Sequence, residues 1–150
     1  MIKVKIKTEE GVFAPLYDSP EHVGFNIMAK NFKKLFKGNK EVLLNVKLQQ
    51  SISEGYLTLR GFERVLVGTG LHVDVPEGYE LQIRNTDSNA LKKGLLVASS
   101  PATIGSNYKG ELAITLINNS PFLSRIQLGD VIALGVAAKV QHIQWDIVKK

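Results

Sequence analysis

The side chains able to carry acid–base or metal chemistry are three histidines (His22, His72, His142), five aspartates (Asp18, Asp74, Asp87, Asp130, Asp146) and nine glutamates. No two histidines stand at metal-ligand spacing, so each reads as a surface or strand residue rather than a ligand. The carboxylates are scattered, with no close cluster of the kind that holds two metals. There is no cysteine, which removes thiolate nucleophiles, thiolate metal sites and disulfides together. Gly-x-Ser-x-Gly and Walker motifs are absent, and the glycines of GTGLHVDVPEG follow a strand without opening a helix, which argues against dinucleotide binding. What remains is positive charge. The net charge is +5, and KNFKKLFKGNK (Lys30–Lys40) holds several lysines and no acid. Such a run is either a solvated basic face or an arm facing phosphate.

The elements that must position these groups are mostly strands. MIKVKIKT alternates apolar Ile2, Val4 and Ile6 with lysine, predicting a half-buried strand. NFKKLFK places Phe32, Leu35 and Phe36 at helical spacing and predicts a short amphipathic helix closed by Gly38. EVLLNVKLQQSI returns to β character. YLTLR, ERVLVGTGL, ELQIRN, GLLVASS, ELAITLIN and GDVIALGVAA predict further strands, punctuated by turns such as VPEGY. DSNALKKG predicts one helical turn capped by Asp87 or Ser88. Many short strands with glycine and proline between them predict an all-β sandwich, barrel or jelly roll in a single domain, residues 1–150. No signal peptide is visible, and the apolar run Val131–Ala138 is too short to span a bilayer. A cytoplasmic protein is expected, without membrane or nucleic-acid partners.

The ordered series VGFNIMA, RVLVGTGLHVDVPEGYE, ALKKGLLVASSPATIGSNYKGELAITLINNS and LGDVIALGV resembles the trimeric dUTPase family. The resemblance is strongest from Arg64 to Val136. It implies a jelly-roll β fold, a homotrimer with sites at subunit interfaces, and magnesium-dependent cleavage of dUTP to dUMP and pyrophosphate.

Motif by motif, it also implies losses. In VGFNI the family aspartate is Asn26, which keeps shape but not charge. In NTDSNA the phosphate-binding arginine is Thr86 and the following serine is Asp87, beside Ser88. A carboxylate facing a triphosphate is repulsive by ~1 kcal/mol. Arg84 is the nearby cation, two positions from the motif arginine. In SPATIGSNYKGE, spanning Thr103, Ile104, Asn107 and Lys109, the family aspartate that activates water is Gly105. Loss of a positioned base costs ~10²–10⁴-fold in rate. Tyr108, which in the family packs on deoxyribose, is kept. In GDVIALG the phosphate-contacting glutamine is Leu134. The glycine-rich C-terminal arm is not matched by HIQWDIVKK, and about Lys30–Glu54 reads as a basic insertion. Glycines and prolines serving the fold stand (Gly24, Gly70, Pro76, Gly78, Gly94, Gly110, Gly129).

This one-sided pattern predicts a pseudoenzyme without a catalytic residue, cofactor or metal. It would hold a nucleotide, a nucleotide-derived ligand or a protein partner at the inter-subunit clefts, as a phage or viral regulator or a nucleotide-sequestering protein. The alternatives are a divergent active dUTP diphosphatase using Mg2+, and a structural β trimer.

Overall fold

The structure, a computed structural model, describes residues 1–43 and 46–149. Twelve strands and one α-helix are placed among them: β1 Lys5–Thr8, β2 Phe25–Met28, β3 Asn31–Lys37, β4 Lys40–Val42, α1 Val46–Ser53, β5 Tyr56–Leu59, β6 Arg64–Asp74, β7 Tyr79–Arg84, β8 Leu95–Val97, β9 Ala102–Ile104, β10 Glu111–Asn118, β11 Ser124–Gln127 and β12 Val131–Lys139. A π-helical turn, Asn89–Lys93, follows β7. One sheet runs β4-β3-β6-β10-β8, with β1 also on β6; another runs β2-β12-β7-β9; β5 pairs with β11. The pairings are antiparallel. The all-β jelly-roll class expected from the sequence is the architecture found.

The core follows from period-two alternation. In β10, Leu112, Ile114, Leu116 and Asn118 point inward and the residues between them outward. Leu57, Leu59, Val65, Val67, Ile83, Leu116 and Ile126 are almost completely buried. Each such side chain contributes roughly 1.5–3 kcal/mol by leaving water.

Four local expectations are corrected. NFKKLFK is strand β3, not a helix. A bulge between Phe32 and Lys34, where β3 pairs with β6, breaks the alternation and imitates helical spacing. Its end is a two-residue hairpin, Gly38-Asn39, with Gly38 at φ 56. VKLQQSIS is helix α1 rather than β, with Leu48 and Ile52, four apart, packed on the core; Leu44 and Asn45 of that stretch lie outside the described residues. MIKVKIKT does form a strand, but β1 is exposed along its length because it covers only the end of β6. Neither Asp87 nor Ser88 caps the turn in DSNALKKG; Thr86 Oγ1 accepts the Asn89 N–H at 3.2 Å. No helix among the described residues is long and apolar enough to cross a membrane.

Candidate functional site

Three neighbouring strands build the first group of expected site residues. Leu134 of β12 lies directly opposite Asn26 of β2 on one side and Arg84 of β7 on the other. Directly paired residues project to the same face, so Asn26, Leu134 and Arg84 form one row across the sheet. Gln82, two residues back on the same face, pairs with Thr103 of β9. The Arg84 guanidinium donates from Nε at 3.1 Å and Nη2 at 2.6 Å to Gln82 Oε1, and Gln82 Nε2 donates to Glu80 Oε1 at 2.6 Å. Arg84 is thereby aimed along the sheet while its outer N–H donors face solvent. Ile104 pairs with Leu81 instead and packs against the core, so its side chain is structural.

A carboxylate counted in the sequence only among the scattered acids, Asp18, stands at the end of this row. Asp18 accepts from Asn26 Nδ2 at 3.0 Å on one oxygen and 3.1 Å on the other. Both line a cleft of about 580 Å³ with Met28, Lys30 and Thr69. Asp18 and Asn26 are eight positions apart, across a segment without regular structure, so no periodicity in the sequence signals the pair.

The turn after β7 is tied down by short polar side chains. Asn85 Oδ1 accepts the Val97 N–H at 2.6 Å, and Asn89 Nδ2 donates to the Val131 carbonyl at 2.8 Å. Gly94, at φ 62, closes the helical turn. Asp87 and Ser88 are exposed at its start. Lys93 pairs with Asp130 at 3.1 Å.

The turn carrying Gly105 is a separate group. The Tyr108 N–H donates to the Gly105 carbonyl at 3.1 Å, closing the turn over Gly105 and Asn107. The Tyr108 ring folds over Gly110, and its hydroxyl donates to the Glu111 carbonyl. Lys109 reaches Asp74 at 2.6 Å and holds that carboxyl below its ordinary value, through a hydrogen bond first and charge second. The partners of Tyr108 and Lys109 are thus within their own sheet, not in the row of Asn26 and Arg84.

Glu111, next in sequence, is the one partly buried acid here with a resolved shift. Burial pushes its carboxyl up; the hydrogen bond from Lys33 (2.5 Å), the Gly70 N–H (2.9 Å) and the Lys33 and His72 charges outweigh that and leave it below the ordinary value. A carboxyl depressed in the folded state adds stability that is complete above its unfolded pKa, about 4.3, and is lost as pH falls through the folded value. Urea unfolding between pH 6 and pH 3 is therefore expected to show an acid-side loss of stability that Glu111→Gln reduces. An unchanged pH profile in the variant would contradict the assignment.

Comparison with known proteins places this geometry. No family model matches the chain. The deoxyuridine 5′-triphosphate nucleotidohydrolase of Fusobacterium nucleatum is 33% identical over 144 residues, 96% of this chain and 84% of that protein. The enzyme of the same name from Hydrogenobaculum is 46% identical over 88 residues, 59% of this chain and 61% of that protein. In structure, a dUTPase variant from phage phi11 of S. aureus, which coordinates a structural Mg(II) ion, superposes with a TM-score of 0.74 at 15% identity, over 99% of this chain and 98% of that one. The expectation of a pseudoenzyme is overturned by relatives that are 33–46% identical and carry the hydrolase name. Losses counted motif by motif do not decide activity, because the folded chain sets other charged groups beside those positions: Asp18 stands against Asn26, and Arg84 stands in the row with Leu134. With 33% identity across nearly its whole length, the chain belongs to the deoxyuridine 5′-triphosphate nucleotidohydrolase (dUTPase) family.

Proposed function

We propose that the protein is a nucleotidohydrolase that cleaves dUTP to dUMP and pyrophosphate. The observation that carries this reading is the 33% identity to a dUTP nucleotidohydrolase over 96% of the chain and 84% of the relative. Water attacks phosphorus, one phosphoanhydride P–O bond breaks, and pyrophosphate leaves. Catalysis of phosphoryl chemistry is chiefly positioning and charge stabilisation. In this chain Arg84 is the cation for the phosphates, fixed by Gln82 and Glu80. Asn26 in the same row and Thr103 opposite Gln82 are the polar residues of the neighbouring strands, and Thr86, Asp87 and Ser88 follow Arg84 in the turn after β7. The turn of Gly105, Asn107, Tyr108 and Lys109, following Ile104, is proposed to meet the sugar, with the exposed part of the Tyr108 ring as its packing surface.

Magnesium fits this site as a companion of the substrate. Among the described residues no group of three or more His, Cys, Asp or Glu side chains could hold a metal. Magnesium commonly keeps several waters and is bound by one or two carboxylates together with substrate phosphates. It would neutralise charge on the triphosphate.

The two groups of site residues face different parts of one chain, which a homotrimer with shared sites reconciles. The outer face of β10 supports this assembly. Ala113, Thr115 and Ile117 lie there beside Leu66 and Leu96, half-buried in the single chain and largely apolar. The single-domain boundaries, 1–150, and the basic segment at about 30–54 as an addition to the family frame belong to the same proposal.

The test compares pyrophosphate release from dUTP, UTP, dCTP and dTTP at equal concentration with magnesium. Release confined to dUTP is expected. Equal release from all four, or none, would overturn the reading.

A further inference from the structure

We propose that the outer face of β1, β3 and β6 is a sequence-tolerant binding surface for single-stranded nucleic acid, centred on a cleft between Lys34, Phe36 and Arg64. The cleft has a volume of about 480 Å³ and is lined by Lys34, Phe36, Asn39, Arg64, Leu66 and Thr115, with no acid among them. It is built by the basic run KNFKKLFKGNK, for which dUTP hydrolysis has no use. Directly paired residues share a face. Phe36 lies opposite Arg64 and Lys34 opposite Leu66, while Leu35 between them is buried in the core. Arg64 Nη2 donates to the Gly38 carbonyl, which holds the guanidinium beside the hairpin turn and leaves its other N–H groups for a ligand. Leu66 and Thr115 also belong to the apolar face proposed for the trimer, so the cleft borders that face.

Charge and length point to a polymer rather than to one nucleotide. Further along β6, Lys7 lies opposite His72 and Lys5 opposite Asp74. Glu111 of β10 also lies opposite His72, and Thr115, four residues on, lies opposite Leu66. β10 alternates without a break, so both stretches are on one face. The acids nearest this strip are already engaged: Glu111 with Lys33 at 2.5 Å, Asp74 with Lys109 at 2.6 Å, and Glu9 beside His72 at 3.6 Å. Glu41, opposite Phe36 on β4, is the acid of the hairpin. Lys5, Lys7, Lys34, Lys37 and Lys40 form no ion pair among the described residues. From Lys34 to Lys5 the positive strip runs roughly 25 Å along β6, the reach of several nucleotides. Lysines meeting phosphates give affinity without sequence readout, and an aromatic ring gives a base a surface to stack on. Phe36 is that ring. A duplex keeps its bases stacked inside, out of reach of Phe36, so a single strand fits both the lysines and the ring. The basic run carries no motif for sequence-specific readout, which is why no nucleic-acid partner is expected from the sequence alone; a sequence-tolerant site needs none.

The experiment is fluorescence anisotropy of a labelled oligothymidine of about 20 nucleotides, long enough for one such site, and of a duplex of the same length, titrated with the protein from low to physiological salt. The variants are Lys34→Gln/Lys37→Gln, Phe36→Leu, and Lys139→Gln/Lys149→Gln as a control with the same loss of charge. All four lysines are exposed, so folding is expected to survive; circular dichroism and light scattering check fold and assembly. Wild type is expected to bind the single strand more tightly than the duplex. The hairpin pair is expected to bind about 10-fold more weakly, with the log–log salt slope smaller by about 0.7 for each lysine that meets a phosphate. Phe36→Leu is expected to lose about 5-fold at unchanged salt slope, the worth of one stacked base. The control pair changes little, and dUTP hydrolysis keeps its wild-type kcat/KM in all three variants. No binding by wild type at low salt would overturn the inference, as would equal or tighter binding of the duplex. So would an equal loss in the control pair, which marks net charge alone, or a matching loss of hydrolysis in the hairpin pair, which assigns those lysines to the free nucleotide. A wild-type protein that binds the single strand but does not cleave dUTP would overturn the hydrolase reading and leave this inference standing.

Discussion

Replacing Asn118 by leucine is expected to lower the unfolding free energy by about 2–5 kcal/mol, although leucine is close in size and the site is completely buried. Asn118 ends β10 with its side chain inside the molecule. Its Nδ2 donates to the carbonyls of Leu59 at 3.2 Å and Phe122 at 2.6 Å, and its Oδ1 accepts from Ser120 Oγ at 2.9 Å. Its backbone joins the same knot, donating to the Glu63 carbonyl at 3.0 Å and accepting the Phe62 N–H at 2.7 Å. Phe62 sits at φ 65, a conformation that non-glycine residues rarely adopt, so the surrounding bonds must hold it. Leucine restores volume but strips the buried Leu59 carbonyl of a donor, at about 1–3 kcal/mol, and removes the part-buried bonds to Phe122 and Ser120, at about 0.5–1.5 kcal/mol each. Denaturant unfolding measures the difference. A loss below about 0.5 kcal/mol would show that the knot contributes little.

The largest expected effect on activity comes from Arg84→Met. kcat/KM for dUTP is expected to fall about 10–100-fold, with the melting temperature nearly unchanged. A hydrogen bond to a charged group is worth about 1.5–3 kcal/mol, and 1.36 kcal/mol is a factor of ten in rate. The side chain is exposed, so little packing is lost. Two of its five N–H donors are committed to Gln82 and the others face outward. Lysine should not rescue fully, because it lacks the planar fork that meets phosphate oxygens in pairs. Steady-state kinetics at several salt concentrations check this: the variant should show a weaker salt dependence than wild type. Unchanged kcat/KM would remove Arg84 from the site.

The frame of the molecule is legible where alternation is unbroken. ELAITLIN and RVLVGTGLHVD announce β10 and β6 because one face of each is buried and the period is two. Legibility fails where a tertiary event alters the period. The bulge in β3 sets Phe32, Leu35 and Phe36 at helical spacing; the pair Gly38-Asn39 between two lysines was the hairpin signal. In VKLQQSIS the branched and apolar residues resemble a strand, and only contact of Leu48 and Ile52 with the core settles the helix. The site was legible as a set of positions but not as a set of neighbours. Arg84 is two residues from the motif arginine, and only the register of β7 on β12 places it in line with Asn26. Asp18 is invisible until the chain folds back on β2. Reading each motif position separately found Arg84 beside the motif arginine but could not pair Asp18 with Asn26.

This arrangement is proposed to hydrolyse dUTP. The direct measurement is phosphorus NMR of dUTP with magnesium and the protein, purified from a host deleted for its own dUTPase. The predicted result is conversion to equal amounts of dUMP and pyrophosphate, at a rate proportional to protein and within the ordinary enzyme range of about 1–10³ per second. dUTP that persists intact over hours at equimolar protein would contradict it.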